Sequence, residues 1–539
     1  VLAAAALLVG CVDFDAERTG FCTRNPERCE AGGGGGDGGG AGGDAGADGG
    51  TDGGGTDAST PVDAGTGVRV TRLRRYLLAD GGRVEVPEDF AAAAPELSVL
   101  QGAGWAPVAG VVEGPGRYHF PEAPPGTLLL RLGGRYLVTD VRTLDLSETV
   151  LGRPGVAQTD AGLVPAVATV TGLAPAAEAD VAGGDFLFLS VPAVGDWGTL
   201  EVAERRTLGQ TDVVDAGALY GSGTWSRPPV FLPSDALGAT LSQTELRDAG
   251  VVSGGGFIRY QAVSHTGPVT ALVTDGGVME VQARLEPAPQ KEVLFELVRA
   301  DFNALRTDVY PDAGFVESRF SISPVPGGLS EGWVGYSGFA LELQVPDTDP
   351  SRLVRRLRYG LPLPAPVGEV GEASALFQVR LRTHDGTATL STLASVQVRD
   401  RVDVLVASAI TPRIGPVRGI TLDGAPAAEP RLLGAASPLV AWQPPAVGTP
   451  SVYLVTVYEL LAPTTPGGAA RRLAVASFYV DAGQRSFRLP RNFFGAGKTY
   501  VLRVAAIQSS AYVPQRPFGL FTAVDYGLAD AFTGAISVP

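Results

Sequence analysis

"FFGAGKTYVLRVAAI" (residues 493–507) admits two incompatible readings, and the choice between them decides the fold of the C-terminal part of the chain. Gly495, Gly497, Lys498 and Thr499 invite a phosphate-binding loop. Such a loop needs a glycine five residues ahead of the Gly-Lys pair, and a following helix whose N–H groups face the phosphates. Position 492 is asparagine, and "YVLRVAAI" is an apolar, β-branched run of strand length. The strand reading therefore holds, and Gly495–Lys498 is the turn before it.

The same strand chemistry recurs outward from this point. "RVTRLRRYLL" (69–78), "GTLLLRLGGRYLVTD" (126–140), "GGFIRYQAV" (255–263) and "ALFQVRLRTHDGTATL" (375–390) alternate or run apolar between Gly, Pro and Asp punctuation. Asp-Gly pairs at 80–81, 275–276, 385–386 and 423–424 signal hairpins, because both residues tolerate positive φ. Short helices are expected only over 88–94 and 299–305. The expected class is all-β: tandem β-sandwich domains of the immunoglobulin/fibronectin III-like kind after a disordered Gly/Asp-rich linker.

Two stretches carry family patterns. "LVAWQPP" with Trp442, "VYLVTVYEL" with Tyr453 and the opening stretch with Phe494 and Tyr500 resemble a fibronectin type III domain. The resemblance implies that Trp442 fills the core between two sheets. It also implies that Tyr500 anchors a corner by its hydroxyl, with Tyr453 and Phe494 packed in the same core. "GPGRYHFPEAPPGTLLLRL" (114–132) resembles the second half of a carboxypeptidase-regulatory-like (prealbumin-like) sandwich, with Tyr118 and Phe120 facing inward and Pro125-Gly126 turning.

The N-terminal region sets the expected address. Residues 1–10, "VLAAAALLVG", are uncharged and apolar, the length of a signal-peptide core and too short to span a bilayer. Leu8, Val9 and Gly10 precede Cys11, which resembles the bacterial lipobox. The resemblance implies that the Cys11 thiol takes a lipid and that the chain begins inside a signal peptide. Of the three cysteines, Cys22 and Cys29 are then left to close a small disulfide loop around Asn25-Pro26. Two or three acyl chains would anchor the protein stably, at about 0.8 kcal/mol per buried CH₂. Val12 rather than Asp after the cysteine favours the outer membrane, on its periplasmic face or at the cell surface.

From 31 to 67 the chain is almost wholly Gly, Ala, Asp, Thr and Ser, with no large apolar residue and no positive charge. It has nothing to bury against its ordering entropy and is read as a flexible stalk. Its aspartates lack calcium-loop spacing. The expected domains are a signal remnant (1–10), a lipidated N-terminus with its Cys loop (11–30), the stalk (31–67) and a first sandwich (68–155). A β-rich region of two sandwich-type units follows (156–410), with a break near 224–233, and the fibronectin III-like domain completes the chain (411–539).

Composition narrows the function classes. A net charge of −15 disfavours nucleic acid as a partner. Lysine occurs only at 291 and 498, so nearly all cations are arginines, scattered through strand-like runs. "GLSEG" (328–332) mimics a nucleophile elbow around Ser330, with His384 and the acids Asp347 and Asp349 downstream, but β-like sequence flanks it where a helix is required. His119, His265 and His384 stand far apart in sequence and give no metal motif. Trp105, Trp197, Trp225 and Trp333 suit core packing, with sugar stacking as the other use.

The resulting expectation is a monomeric, non-enzymatic cell-envelope lipoprotein. It needs no cofactor or metal, is held to a membrane by its lipid, and acts in binding, adhesion or structure toward a protein or polysaccharide partner. The competing expectation is an envelope hydrolase of polysaccharide or peptide that uses paired carboxylates of the central β region.

Overall fold

The computed structural model describes residues 67–539 except 103, 177–185, 204–205, 252–256, 276, 348–350, 385, 387–388, 435–436, 462–470 and 492. Leu8, Val9, Gly10, Cys11, Cys22, Cys29 and the stalk up to residue 66 lie outside the described residues, as do Asp385 and Gly276 of two expected hairpin turns. Among the described residues the protein is all-β, and its α-helices are single turns or little more: Arg299–Ala304, Arg306–Val309 and Val402–Leu405. The helix expected over 88–94 is a turn. Ala92 and Ala93 both donate to the Asp89 carbonyl, and Pro95 blocks propagation. No helix among the described residues is long and apolar enough to cross a membrane.

The C-terminal unit opposes two sheets. Arg418–Leu422, Leu439–Gln443 and Ser486–Arg488 form one, and Val452–Leu461, Arg471–Asp481, Thr499–Gln508 and Tyr526–Phe532 the other. Asp423 and Gly424, at φ 51° and 79°, make the two-residue turn from Leu422 to Ala425.

The N-terminal unit is built from Val68 to Leu151 and does not stand apart as a bead. Its strand Arg135–Thr139 pairs in parallel with Arg471–Asp481, joining Ser477 to Arg135 and Val480 to Val138. The inward residues Tyr118 and Phe120 share a core with Val452, Tyr479, Ile507 and Phe518 of the C-terminal unit. The first and last units thus bury one another's outer faces.

The 156–410 region departs from two sandwiches. Strands Val164–Thr171, Phe186–Val191, Asp196–Val202, Val213–Ser222, Thr240–Val251, Phe257–Asp275 and Val278–Arg284 hydrogen-bond in a closed ring. Closure leaves none of these seven strands with an open edge. The expected break at 224–233 falls inside this ring. Phe231 packs edge-on against Tyr220, 5.7 Å between centroids, in the ring's own core.

The next unit begins near residue 290 and shares strands with both neighbours. Phe257–Asp275 runs 19 residues, closing the ring at one end and pairing with Leu341–Pro346 at the other. Thr389–Arg401 pairs with Tyr526–Phe532 of the C-terminal unit. Phe295 on the small sheet of Gln290–Leu297 and Leu353–Gly360 stacks on Phe320 of the large sheet at 4.0 Å.

A strap, residues 327–340, ties all four units. Trp333 N–H donates to Thr522 O at 2.8 Å in the C-terminal unit, Gly335 sits on Leu151 of the first, and Gly338 lies beside Trp197 and Phe188 of the ring. Gly332 and Gly335 hold φ near +80°, and a Cβ on either would lie within 2.4 Å of a neighbouring atom. Only glycine meets both conditions.

Candidate functional site

The strap crosses a face of the large sheet whose composition follows from strand alternation. Along Gly314–Pro326, Leu341–Pro346, Val367–Arg382 and Thr389–Arg401, alternate residues such as Phe320, Leu343, Ala373 and Val398 fill the core. Their neighbours must point the other way. Register then places Gln261, Glu342, Ser321, Glu372, Arg399 and Tyr526 directly opposite one another in one row across six strands. A parallel row holds Gln344, Arg319, Ser374 and Gln397. Glu342 and Glu372 are separated by a single strand, about 10 Å between Cα atoms.

Burial and charge sort these groups. Arg399 is buried between two rings, 4.1 Å from the Trp333 centroid and 4.5 Å from that of Tyr526, and donates to Ala523 O at 2.8 Å. Burial pushes the Glu372 carboxyl up from its ordinary value, while the Arg399 and Arg319 guanidiniums pull it back. Arg319 Nε donates to Glu317 at 2.6 Å. Burial, with Glu342 and Glu372 nearby, holds the Tyr336 phenol well above its ordinary range. The hydroxyl faces Ser323 without reaching hydrogen-bond geometry. Trp333 Nε1, Ser337 Oγ and Gln397 Oε1 are likewise buried without a partner in the protein. Three of these unsatisfied polar atoms belong to the strap itself, where each costs free energy unless a hydroxyl or water supplies the missing bond.

Half-buried rings border the row. Phe186 and Phe188 lie on the adjoining ring strand, and Phe339 ends the strap. Tyr336 stands edge-on to Trp197 at 4.8 Å and to Phe339 at 5.4 Å.

Of the residues singled out from sequence, Trp442 is 4% exposed and meets Tyr453 at 5.1 Å, edge to face. Phe494 packs on Tyr500 at 4.7 Å, and the Tyr500 hydroxyl accepts the Gly495 N–H at 2.9 Å. Lys498 donates to both carboxylate oxygens of Glu459, in the turn before a strand. Ser330 is exposed on the strap, and the neighbouring Glu331 pairs with Arg83 at 2.7 Å. His119 contacts Glu113, His265 lies on a ring strand with its pKa lowered by burial, and His384 sits at a hairpin turn. Among the described residues no three His, Cys, Asp or Glu side chains converge as a metal site. Trp105 Nε1 donates to Arg488 O at 2.7 Å, linking the first and last units.

Glu372, Arg399, Arg319 and Tyr336 were not singled out from sequence. Each reads there as one more polar residue in an alternating strand, or as part of a glycine-rich loop. The signal that identifies them is cross-strand register. An open groove of about 440 Å³ on the ring, lined by Phe231, Leu232, Pro233, Val273, Thr274, Val278 and Glu280, brings only one charged group with it.

No family model matches the chain, and no curated protein matches it. Among solved structures, the crystal structure of chicken CNTN1 FN1-FN3 domains aligns at 10% identity, covering 65% of this chain and 91% of that one, with a TM-score of 0.13. A similarity of that strength carries no weight beside the strand pairings described above.

Proposed function

We propose that the protein is a lipid-anchored cell-envelope module that binds or adheres without catalysis, its β-body held off the membrane by the Gly/Asp stalk. The outer membrane of a Gram-negative bacterium is its place in this reading, on either face, and Cys11 is its anchor. The C-terminal unit is read as a fibronectin type III-like domain, a reading supported by its two opposed antiparallel sheets with Trp442 and Tyr453 packed in the core.

The observation that supports binding is the joining of the units. Sheets run unbroken from the ring through the third unit into the C-terminal unit, and the N-terminal unit pairs into the same sheet. The result is a continuous β-scaffold whose polar row is partly covered by the strap. Shared strands, and shared cores outside the ring, leave the units little freedom to move as hinged lobes around a substrate.

A second reading, hydrolysis of polysaccharide or peptide, is favoured by one observation: Glu342 and Glu372 lie on the same face with Tyr336 beside both. Against it, Glu372 is largely buried next to Arg399. The full chain with its leader, produced in a Gram-negative host, separates the readings. Binding predicts membrane-fraction protein with an acylated Cys11, cells that adhere to envelope polysaccharide or protein coats, and recovered polymer of unchanged length. Polymer shortened in a manner abolished by Glu372→Gln would establish the hydrolase. An unmodified Cys11 would remove the anchor.

A further inference from the structure

We propose that the strip running from Phe186 to Glu372 along the strap is a binding site for an uncharged oligosaccharide; this rests on the binding reading above and names its ligand class. The strip crosses six strands, Phe186–Val191, Thr240–Val251, Phe257–Asp275, Leu341–Pro346, Gly314–Pro326 and Val367–Arg382, in that spatial order. At the usual strand spacing that is a span of about 24 Å, long enough for several sugar rings.

Its chemistry alternates as a sugar polymer does. Phe186, Phe188 and Phe339 are half-buried and offer flat apolar surface. Gln261, Glu342 and Arg319, half-buried on the same face, offer donors and acceptors between and beside them. Pyranose rings present the matching pair, apolar C–H faces and a rim of hydroxyls.

Charge selects within that class. Glu317 is engaged by Arg319, and Glu372 lies against Arg399 and Arg319, whereas half-buried Glu342 is engaged by the neutral Gln344, which donates to it at 3.2 Å. A residual negative charge on a chain of net charge −15 repels a polyanion. The polar row disfavours an apolar peptide, which would strand these groups without partners.

The unpartnered atoms in the strap and at Gln397 supply the independent sign. Trp333 Nε1 can only donate, Gln397 Oε1 can only accept, and Tyr336 and Ser337 hydroxyls do either. Hydroxyl groups serve both kinds. These atoms are closed to solvent, so a hydroxylated ligand at the strap's edge reaches this network only through bridging water.

The test uses the full-length protein, titrated with uncharged cello-, manno- and galacto-hexasaccharides and with an oligogalacturonate, followed by tryptophan fluorescence and calorimetry. Expected is saturable binding of at least one uncharged hexasaccharide. Phe188→Ala and Glu342→Gln should each weaken it about tenfold or more, while Val214→Ser, on an exposed part of the ring, leaves it unchanged. Both site residues are half-exposed, and melting curves superimposing on the parent's will show that the variants fold. The proposal fails if no uncharged hexasaccharide binds, if both site variants bind as the parent does, or if only the oligogalacturonate binds. Failure here with cell adhesion to protein coats retained refutes the sugar site alone. Loss of both refutes the binding reading as well.

Discussion

Replacing Asp196 by asparagine should make the protein more stable at neutral pH and flatten its stability between pH 4 and 6. Asp196 opens a ring strand, is 2% exposed, and accepts hydrogen bonds from Tyr220 Oη at 2.8 Å and Ser222 Oγ at 2.6 Å. Ser222 Oγ in turn accepts from the backbone of Trp225 at 2.8 Å, so the carboxylate organises the turn beyond the strand. Burial outweighs these bonds and pushes the carboxyl up to about 6 from an ordinary 3.8. The folded state therefore holds a proton that the unfolded state has already lost. Stability from this group is complete below about pH 4 and falls as pH rises to about 6. Across that window the loss is about 3 kcal/mol, from two pKa units at roughly 1.4 kcal/mol each.

Asparagine has nearly the same shape and does not ionise. Its amide must find an acceptor where the carboxylate accepted, at a cost of about 1 kcal/mol. The expected net gain at pH 7.5 is about 1–2 kcal/mol, turning into a loss at pH 4. Urea unfolding at pH 4, 5, 6 and 7.5, followed by the fluorescence of the neighbouring Trp197 and Trp225, measures the difference between variant and parent. A difference that stays constant across this range, or grows in the parent's favour as pH rises, would refute the reasoning.

Arg399→Ala should cost about 3–5 kcal/mol, because it removes the guanidinium sandwiched by Trp333 and Tyr526 and leaves the Glu372 carboxyl buried without its neighbour; thermal unfolding measures it, and adding Glu372→Gln should recover part of the loss. Trp442→Ala should cost about 3–5 kcal/mol by opening a cavity between the sheets of the C-terminal unit, against about 1–2 kcal/mol for Tyr500→Phe, which strands the Gly495 N–H; chemical denaturation separates the two. Gly332→Ala combines a φ of +80° with a Cβ 2.2 Å from the Thr522 carbonyl oxygen, and should cost about 2 kcal/mol or more while raising the rate of limited proteolysis within the strap.

The β class was legible because the pattern that specifies a strand is local. Alternation along "RVTRLRRYLL" and the apolar run of "YVLRVAAI" each describe a strand without reference to what lies beside it. Asp423-Gly424 likewise carries its turn geometry in its own backbone preferences. Trp442, Tyr453, Phe494 and Tyr500 are all buried in one core, as large aromatic residues in apolar strand runs are expected to be. The short stretch at 88–94 misled because alanine-rich sequence scores as helix until Pro95 is weighed against so short a run.

The polar row was not legible. Gln261, Glu342, Ser321, Glu372, Arg399 and Tyr526 are scattered over 266 positions, and they meet only because five successive strand pairings bring them into register. A shift of one residue at any pairing would turn part of the row into the core. The ring closure is equally non-local. It requires Val164–Thr171 to pair in parallel with Val278–Arg284, more than a hundred residues away.

The sequence by itself determined that this protein is built of β-strands, that its first 67 residues are chemically unlike the rest, and that Tyr500 follows a turn rather than a phosphate loop. These are matters of composition and short-range period. Only the tertiary structure decided which strands are neighbours, that the first unit buries itself against the last, and that Glu342 and Glu372 share one face beneath Tyr336. Strand pairing is made by backbone groups that every residue carries, so the choice of partner rests on the summed packing of distant side chains, which no local stretch records.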